Sequence, residues 1–159
     1  MLRAGGALAA VAGVPWVAAS LVMPPSSAWL PLVVIVNVAG VVISGSLGSR
    51  AGFWGWLAVR GFIGALLALT AGQAFGGGIG PPLSAVGLAA LWLTGLFAAI
   101  GALSSRAAGR LGPGLAVAGW VFIYLTFILP ISTWFAIPYG IGWGLTGLHL
   151  ARGPDPARL

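Results

Sequence analysis

Long apolar runs with very few charged side chains dominate this sequence. Of its 159 residues, 60% are hydrophobic and only 5% are charged, whereas roughly 25% are charged in ordinary soluble domains. A soluble fold of this length must cover its surface with polar groups, and this chain has too few of them. We therefore predict that lipid surrounds most of the polypeptide, and that residues 1–159 form a single all-α integral membrane domain.

The number of spans follows from the length of the apolar runs. A helix that crosses the roughly 30 Å core of a bilayer needs about 20 apolar residues. The last run, 114–150, would extend for roughly 55 Å as one helix, and Pro130 near its centre would break that helix. Dividing this run gives six transmembrane helices, which we expect to form three hairpins, over residues 4–23, 29–48, 53–75, 83–104, 114–130 and 133–151.

The arginines provide an independent test of this count. Cytoplasmic loops of membrane proteins collect Arg and Lys, and six of the seven arginines fall on one side of a six-helix arrangement: Arg3, Arg50, Arg106, Arg110, Arg152 and Arg158. Both termini, including the tail 152–159, are then cytoplasmic. Arg without any Lys, together with abundant Ala and Gly, favours a bacterial cytoplasmic membrane. The alternative that the first helix is a cleaved signal peptide would leave the other five helices in the same orientation.

Several kinds of chemistry lack the residues they require. The chain has no Cys and no Glu, and its only carboxylate and imidazole side chains are Asp155 and His149. Catalysis by paired carboxylates or by a Ser-His-Asp relay in the membrane is therefore excluded, and a metal site has too few donors. We predict no catalytic residue, no metal, no cofactor and no enzyme activity. The scattered arginines also give no basic patch for nucleic acid.

A short phrase recurs at the three predicted outer turns. It reads PPSSAW at 24–29, PPLSAV at 81–86 and LPISTW at 129–134. Pro stops the incoming helix, and the following serine can cap the next one by accepting from free N–H groups. We predict this capping role for Ser27, Ser84 and Ser132.

Small residues at helical spacing predict the faces that look into the bundle, because they allow close helix approach in lipid. Helix two carries such a face around Asn37, Gly40 and Ser44, and helices four and six carry longer ones. In helix three, Arg60 shares a face with Gly64. We therefore expect this face of helix three to look inward as well.

Three polar residues within the spans are candidate ligand contacts. Arg60 lies about 10 Å along its helix from the inner end. It either snorkels to a lipid phosphate or binds an anion, a lipid headgroup or a carboxylate of a partner protein. Asn37 either bonds a neighbouring helix or contacts a substrate. Tyr124 either packs against other aromatic side chains or contacts a ligand.

Three classes of function remain open. The first is an accessory or scaffold subunit that packs with a membrane protein partner or with further copies of itself. The second is a facilitative channel or transporter for a small neutral or anionic solute, lined by Arg60 and Asn37. The third is a lipid-handling membrane protein. In each case the bilayer, with its anionic headgroups at the cytoplasmic face, is the immediate partner.

Overall fold

A computed structural model describes residues 1–22, 30–75, 77–128 and 133–153. Within these ranges the chain is helical and has no β-strand, so the all-α prediction is confirmed. The helices are α1 (Leu2–Val22), α2 (Leu30–Leu47), α3 (Gly52–Phe75), α4 (Gly80–Ser105), α5 (Leu111–Ile128) and α6 (Ile137–Ala151).

Several helices have the length and composition of membrane spans. Three helical stretches are long and apolar enough to cross a bilayer: Leu2–Val22, Pro31–Phe75 and Gly80–Ser105. The second stretch contains both α2 and α3, which are joined by a 3₁₀ turn at Gly48–Ala51. Glycines with positive φ, Gly48 at 55° and Gly52 at 58°, flank this turn, and a residue with a Cβ adopts such angles only at a cost. The two glycines therefore let the chain reverse direction between α2 and α3.

The predicted cap at Ser84 is wrong. Helix α4 begins at Gly80 with Pro81 and Pro82 in its first turn, and Ile79, at the N-cap position, makes no side-chain cap hydrogen bond. Proline suits the first turn because the N–H it lacks would have no partner there. Ser84 therefore lies inside the helix, beside Gly72 of α3. Ser27 and Ser132 lie outside the described residues.

The helices pack as a ring with one helix outside it. The most extensive contacts join α3 to α4 and α1 to α6, followed by α5 to α6. Further contacts of α1 with α2, α2 with α4, and α4 with α5 complete a ring of α1, α2, α4, α5 and α6. Helix α3 packs on the outside of this ring, against α4 and to a smaller extent α2.

Helix ends that carry arginines meet at one end of the bundle. A Cβ added to Gly5 would lie 3.1 Å from Ile43 Cγ1, and one added to Gly6 would lie 2.8 Å from Leu150 Cβ. The start of α1 thus lies beside the ends of α2 and α6. In the same way, the start of α3 lies beside the end of α4, and the start of α5 beside the last turns of α6. We call this the arginine end; it gathers Arg3, Arg50, Arg106, Arg110 and Arg152.

The small-residue faces of α2 and α4 are buried in helix contacts as predicted, that of α4 largely against α3, but the predicted face of α3 is not buried. Asn37, Gly40 and Ser44 of α2 are buried, and so are most members of the α4 face. In α3, however, Arg60 and Gly64 are exposed, and a Cβ added to Gly64 would meet no atom within 4 Å. Helix α3 instead buries a second set of small residues against its neighbours: Gly55, Ala58, Ala65 and Gly72.

Candidate functional site

Three aromatic side chains occupy the centre of the helix ring. Trp16 of α1 and Trp143 of α6 are among the largest fully buried side chains, and Tyr139 is only 3% exposed. The Tyr139 ring lies 4.9 Å from that of Trp16 and 6.3 Å from that of Trp143, measured between centroids. The Nε1 of Trp16 donates a 3.0 Å hydrogen bond to the carbonyl of Ala136. This bond ties α1 to the 3₁₀ turn (Thr133–Ala136) that precedes α6.

Asn37 faces this aromatic centre from α2. It is 2% exposed, and its Nδ2 donates a 2.7 Å hydrogen bond to the carbonyl of Val33, one turn earlier in the same helix. The predicted bond to a neighbouring helix is therefore wrong in this arrangement. Its Oδ1 points at Gly95 of α4, where an added Cβ would lie 3.3 Å from it and would also contact the Tyr139 hydroxyl.

Three buried polar atoms have no hydrogen-bond partner within the described residues: Asn37 Oδ1, Ser44 Oγ and Trp143 Nε1. Leaving a buried polar group unpaired costs about 1–3 kcal/mol. Ser44 lies two turns along α2 from Asn37, and the Trp143 ring packs 3.0 Å from the Cβ position of Gly40 between them. Ser44 itself lies against α3, since its Cβ is 3.6 Å from the Cβ position of Gly55, so only Asn37 and Trp143 of these three face the aromatic centre.

Arg60 lies elsewhere, on the exposed outer side of α3. Its Cζ lies over the Trp56 ring, 4.3 Å from the ring centroid, which is a cation–π geometry. Trp56 in turn stacks against Phe53, with centroids 5.9 Å apart. The described residues contain no Asp or Glu, so no carboxylate side chain within them pairs with this guanidinium.

The predicted ligand contacts do not form one site. Asn37 is buried inside the ring, whereas Arg60 is on the surface of the helix outside it. A channel lined by both residues is therefore not present in this arrangement. Tyr124 lies on α5, but its side chain is outside the described part of the structure, so its predicted role stays a prediction.

Sequence reasoning predicted the small-residue face of α6, of which Gly140 and Gly147 are buried against α1, but it missed the large buried side chains beside that face. Tyr139, Trp143, Thr146 and Leu150 of α6 are all buried. Their spacing of four, three and four residues is the spacing of one helix face. The sequence carries this signal, next to the small-residue face of the same helix.

Comparison of the chain with protein-family models, with curated protein sequences and with solved structures finds no match.

Proposed function

We propose that this chain is a bacterial integral membrane protein that crosses the cytoplasmic membrane six times, as three hairpins, with both termini in the cytoplasm. Its role is non-catalytic: it is an accessory subunit that packs against a membrane protein partner. The observation that carries this proposal is the exposed position of Arg60 on the outer face of α3.

The gathering of arginines at one end supports the orientation. Arg3, Arg50, Arg106, Arg110 and Arg152 belong to four separate terminal or connecting segments, yet the helix contacts bring these segments together. A one-sided excess of arginine is the usual determinant of membrane topology. The arginine end is therefore the cytoplasmic end in this proposal.

The outer face of α3 has the features of a helix–helix contact. A Cβ added to Gly64 would meet no atom within 4 Å, so the surface beside it is free. Ala68 lies on the same face one turn later. Small residues on such a face let a second helix approach closely in lipid. A charge within a spanning helix is costly unless it is paired or reaches water. A partner helix with a carboxylate opposite Arg60 would supply both the packing and the pairing.

The charge on this face also favours a different protein over a second copy of this chain. A two-fold dimer brings the same surface patch of both copies together, so two copies meeting here would place Arg60 near its own equivalent. Like charges placed together across an interface disfavour that pairing. The sole acidic residue of the chain, Asp155, lies in the tail after α6. No spanning segment of this chain contains Asp or Glu, so a carboxylate within a neighbouring spanning helix comes from another protein.

Site-specific cross-linking in native membranes tests this proposal. The chain has no native cysteine, so Gly64→Cys can carry a thiol-coupled photo-cross-linker on the α3 face. Val14→Cys, on the exposed side of α1, is the matched control.

We expect Gly64→Cys, but not Val14→Cys, to give a product with one other membrane protein that has an acidic residue in a spanning helix. We expect Arg60→Gln to abolish this product. Equal products from both positions, a product with a second copy of this chain, or a product that survives Arg60→Gln would contradict the proposal.

A second candidate function is facilitated passage of a small neutral solute through the ring. It is favoured by the unpaired Oδ1 of Asn37, which faces the aromatic centre beside Gly95 and could hydrogen-bond a polar solute. This candidate predicts that protein in liposomes raises solute flux and that Asn37→Leu removes the increase, while Arg60→Gln leaves it unchanged. No flux above that of empty liposomes would exclude it.

A further inference from the structure

A recess of about 620 Å³ opens at the arginine end, between the start of α5 and the last turns of α6. Its lining includes basic and apolar side chains from both helices: Arg110, Leu111, Leu145, Leu148, His149 and Arg152. None of these residues contributes to the aromatic centre or to the α3 face.

A close helix crossing builds this recess. A Cβ added to Gly112 of α5 would lie 2.7 Å from the backbone nitrogen of Thr146 in α6, so only glycine allows the two backbones to approach this closely. His149 lies one turn beyond Thr146. The crossing therefore sets the first turn of α5 beside the basic end of α6. Arg3 of α1 reaches the rim, since its Nη2 lies 3.2 Å from the Cβ position of Gly153.

The recess is strongly cationic and has no acidic side chain within the described residues to balance it. Arg110 and Arg152 are exposed at its mouth, and His149 is half-buried in its wall. The first main-chain hydrogen bond of α5 runs from Gly114 N to Arg110 O, so the preceding N–H groups of Leu111 and Gly112 are those that a helix leaves free for an anion. Two arginines and a helix N-terminus thus border the same space.

The remaining walls are apolar and open outward. Leu111 is 71% exposed, Leu148 is 47% exposed and Leu145 is 37% exposed. Free phosphate has no apolar group that could pack against exposed leucines. A phospholipid carries acyl chains next to its phosphate, and these can contact the leucines. Basic pockets between membrane helices at the cytoplasmic side are suited to anionic lipid headgroups.

We propose that this recess binds an anionic phospholipid, with its phosphate between Arg110 and Arg152 and its acyl chains along Leu145 and Leu148. The inference rests on the membrane insertion proposed above. It does not depend on a partner at α3, and its test uses other residues.

The test measures binding of short-chain phosphatidylglycerol to the delipidated full chain in a neutral detergent. Phosphatidylcholine of the same chain length and inorganic phosphate are the comparison ligands. The test variant is the pair Arg110→Gln with Arg152→Gln. The control variant is the pair Arg50→Gln with Arg106→Gln, which removes the same charge at the same end of the bundle but outside the recess. Circular dichroism verifies that both variants keep their helix content.

We expect phosphatidylglycerol to bind more tightly than phosphatidylcholine. We expect the test pair to weaken its binding by roughly tenfold or more, because each arginine near an anionic lipid adds attraction, and the control pair to change it less than twofold. Equal weakening by both pairs would mean that net charge alone attracts the lipid, which would overturn the site.

Two further outcomes would also overturn the proposal. If inorganic phosphate displaces the lipid at equal concentration, the recess is a free-phosphate site. If binding appears only after Asp155→Asn, the carboxylate of the tail occupies the recess.

Discussion

Gly13 in α1 and Gly140 in α6 meet backbone to backbone, so that a Cβ added to Gly13 would lie 2.6 Å from the Gly140 carbonyl oxygen. Gly6 and Gly147 make a similarly close approach nearer the arginine end. Where lipid surrounds a protein, helices gain little from hydrophobic burial and depend on such close packing. The contact between the first and last helices, which closes the ring, is therefore built largely on glycine.

Gly13→Ala should loosen this contact. The added methyl group cannot fit without separating α1 from α6, and overpacking of this kind costs about 1–3 kcal/mol. We expect a loss of this size in the free energy of unfolding, measured by titrating detergent-solubilised protein with dodecyl sulfate and following the loss of tertiary structure. Gly144→Ala is the control, because a Cβ there meets no atom within 4 Å. Equal losses from the two variants would contradict the packing described for α1 and α6.

The two buried tryptophans provide a matched pair for measuring one hydrogen bond. Trp16 Nε1 bonds the carbonyl of Ala136 at 3.0 Å, whereas Trp143 Nε1 lies near the Tyr139 hydroxyl without good hydrogen-bond geometry. Phe at either position leaves a similar void, but only Trp16→Phe also breaks this bond. We expect Trp16→Phe to lower the free energy of unfolding by about 1 kcal/mol more than Trp143→Phe does. A larger loss from Trp143→Phe would show that Nε1 of Trp143 is bonded after all.

Asn37→Leu should leave stability unchanged or raise it. Leucine has the same branching as asparagine, and the change removes a buried amide oxygen that has no partner within the described residues. It also removes the Nδ2 bond to the Val33 carbonyl, but that carbonyl keeps its main-chain bond within α2. Replacing an unpaired polar group by an apolar group of similar shape is neutral or stabilising. Asn37→Ala is the comparison: we expect it to lower stability because it leaves a cavity. Both are measured by the same unfolding titration. A loss from Asn37→Leu as large as that from Asn37→Ala would show that hydrogen bonding by the amide stabilises the fold, contrary to this prediction.

The sequence predicted the helices and several of their faces well. Helix α4 carries one stripe of small residues at a spacing of three or four, so the choice of its buried face followed directly from the pattern. The same is true of Asn37, Gly40 and Ser44 on α2, all of which are buried.

Helix α3 shows where local pattern fails. It has small residues on two sides, one around Gly55 and Ala65 and the other around Gly64. Gly101 and Gly87 of α4 approach the first side closely, and this complementarity decides the packing. It is a property of the helix pair, so inspecting α3 alone could not reveal it. The hydrogen-bond partner of Asn37 could not be predicted for the same reason. Its amide can bond either its own helix or a neighbouring one, and the tertiary arrangement decides between them.

The sequence also gave no indication that Arg110, His149 and Arg152 line one recess. They belong to two segments separated by most of α5 and α6, and the close crossing of Gly112 and Thr146 brings them together. A glycine at the start of a helix occurs for many structural reasons, so Gly112 alone does not predict this crossing or the recess beside it.

Single-cysteine labelling with a membrane-impermeant reagent tests the central claim, six spans with the arginine end in the cytoplasm, most directly. The native chain has no thiol, so each introduced cysteine gives an unambiguous signal. Ala4→Cys, Ser49→Cys and Ala107→Cys report on the arginine end, and Ile79→Cys reports on the opposite end. We predict labelling of Ile79→Cys in intact cells and labelling of the other three only after permeabilisation. Labelling of Ala4→Cys, Ser49→Cys and Ala107→Cys from different sides, or recovery of the chain as a monodisperse species in buffer without detergent, would contradict the account.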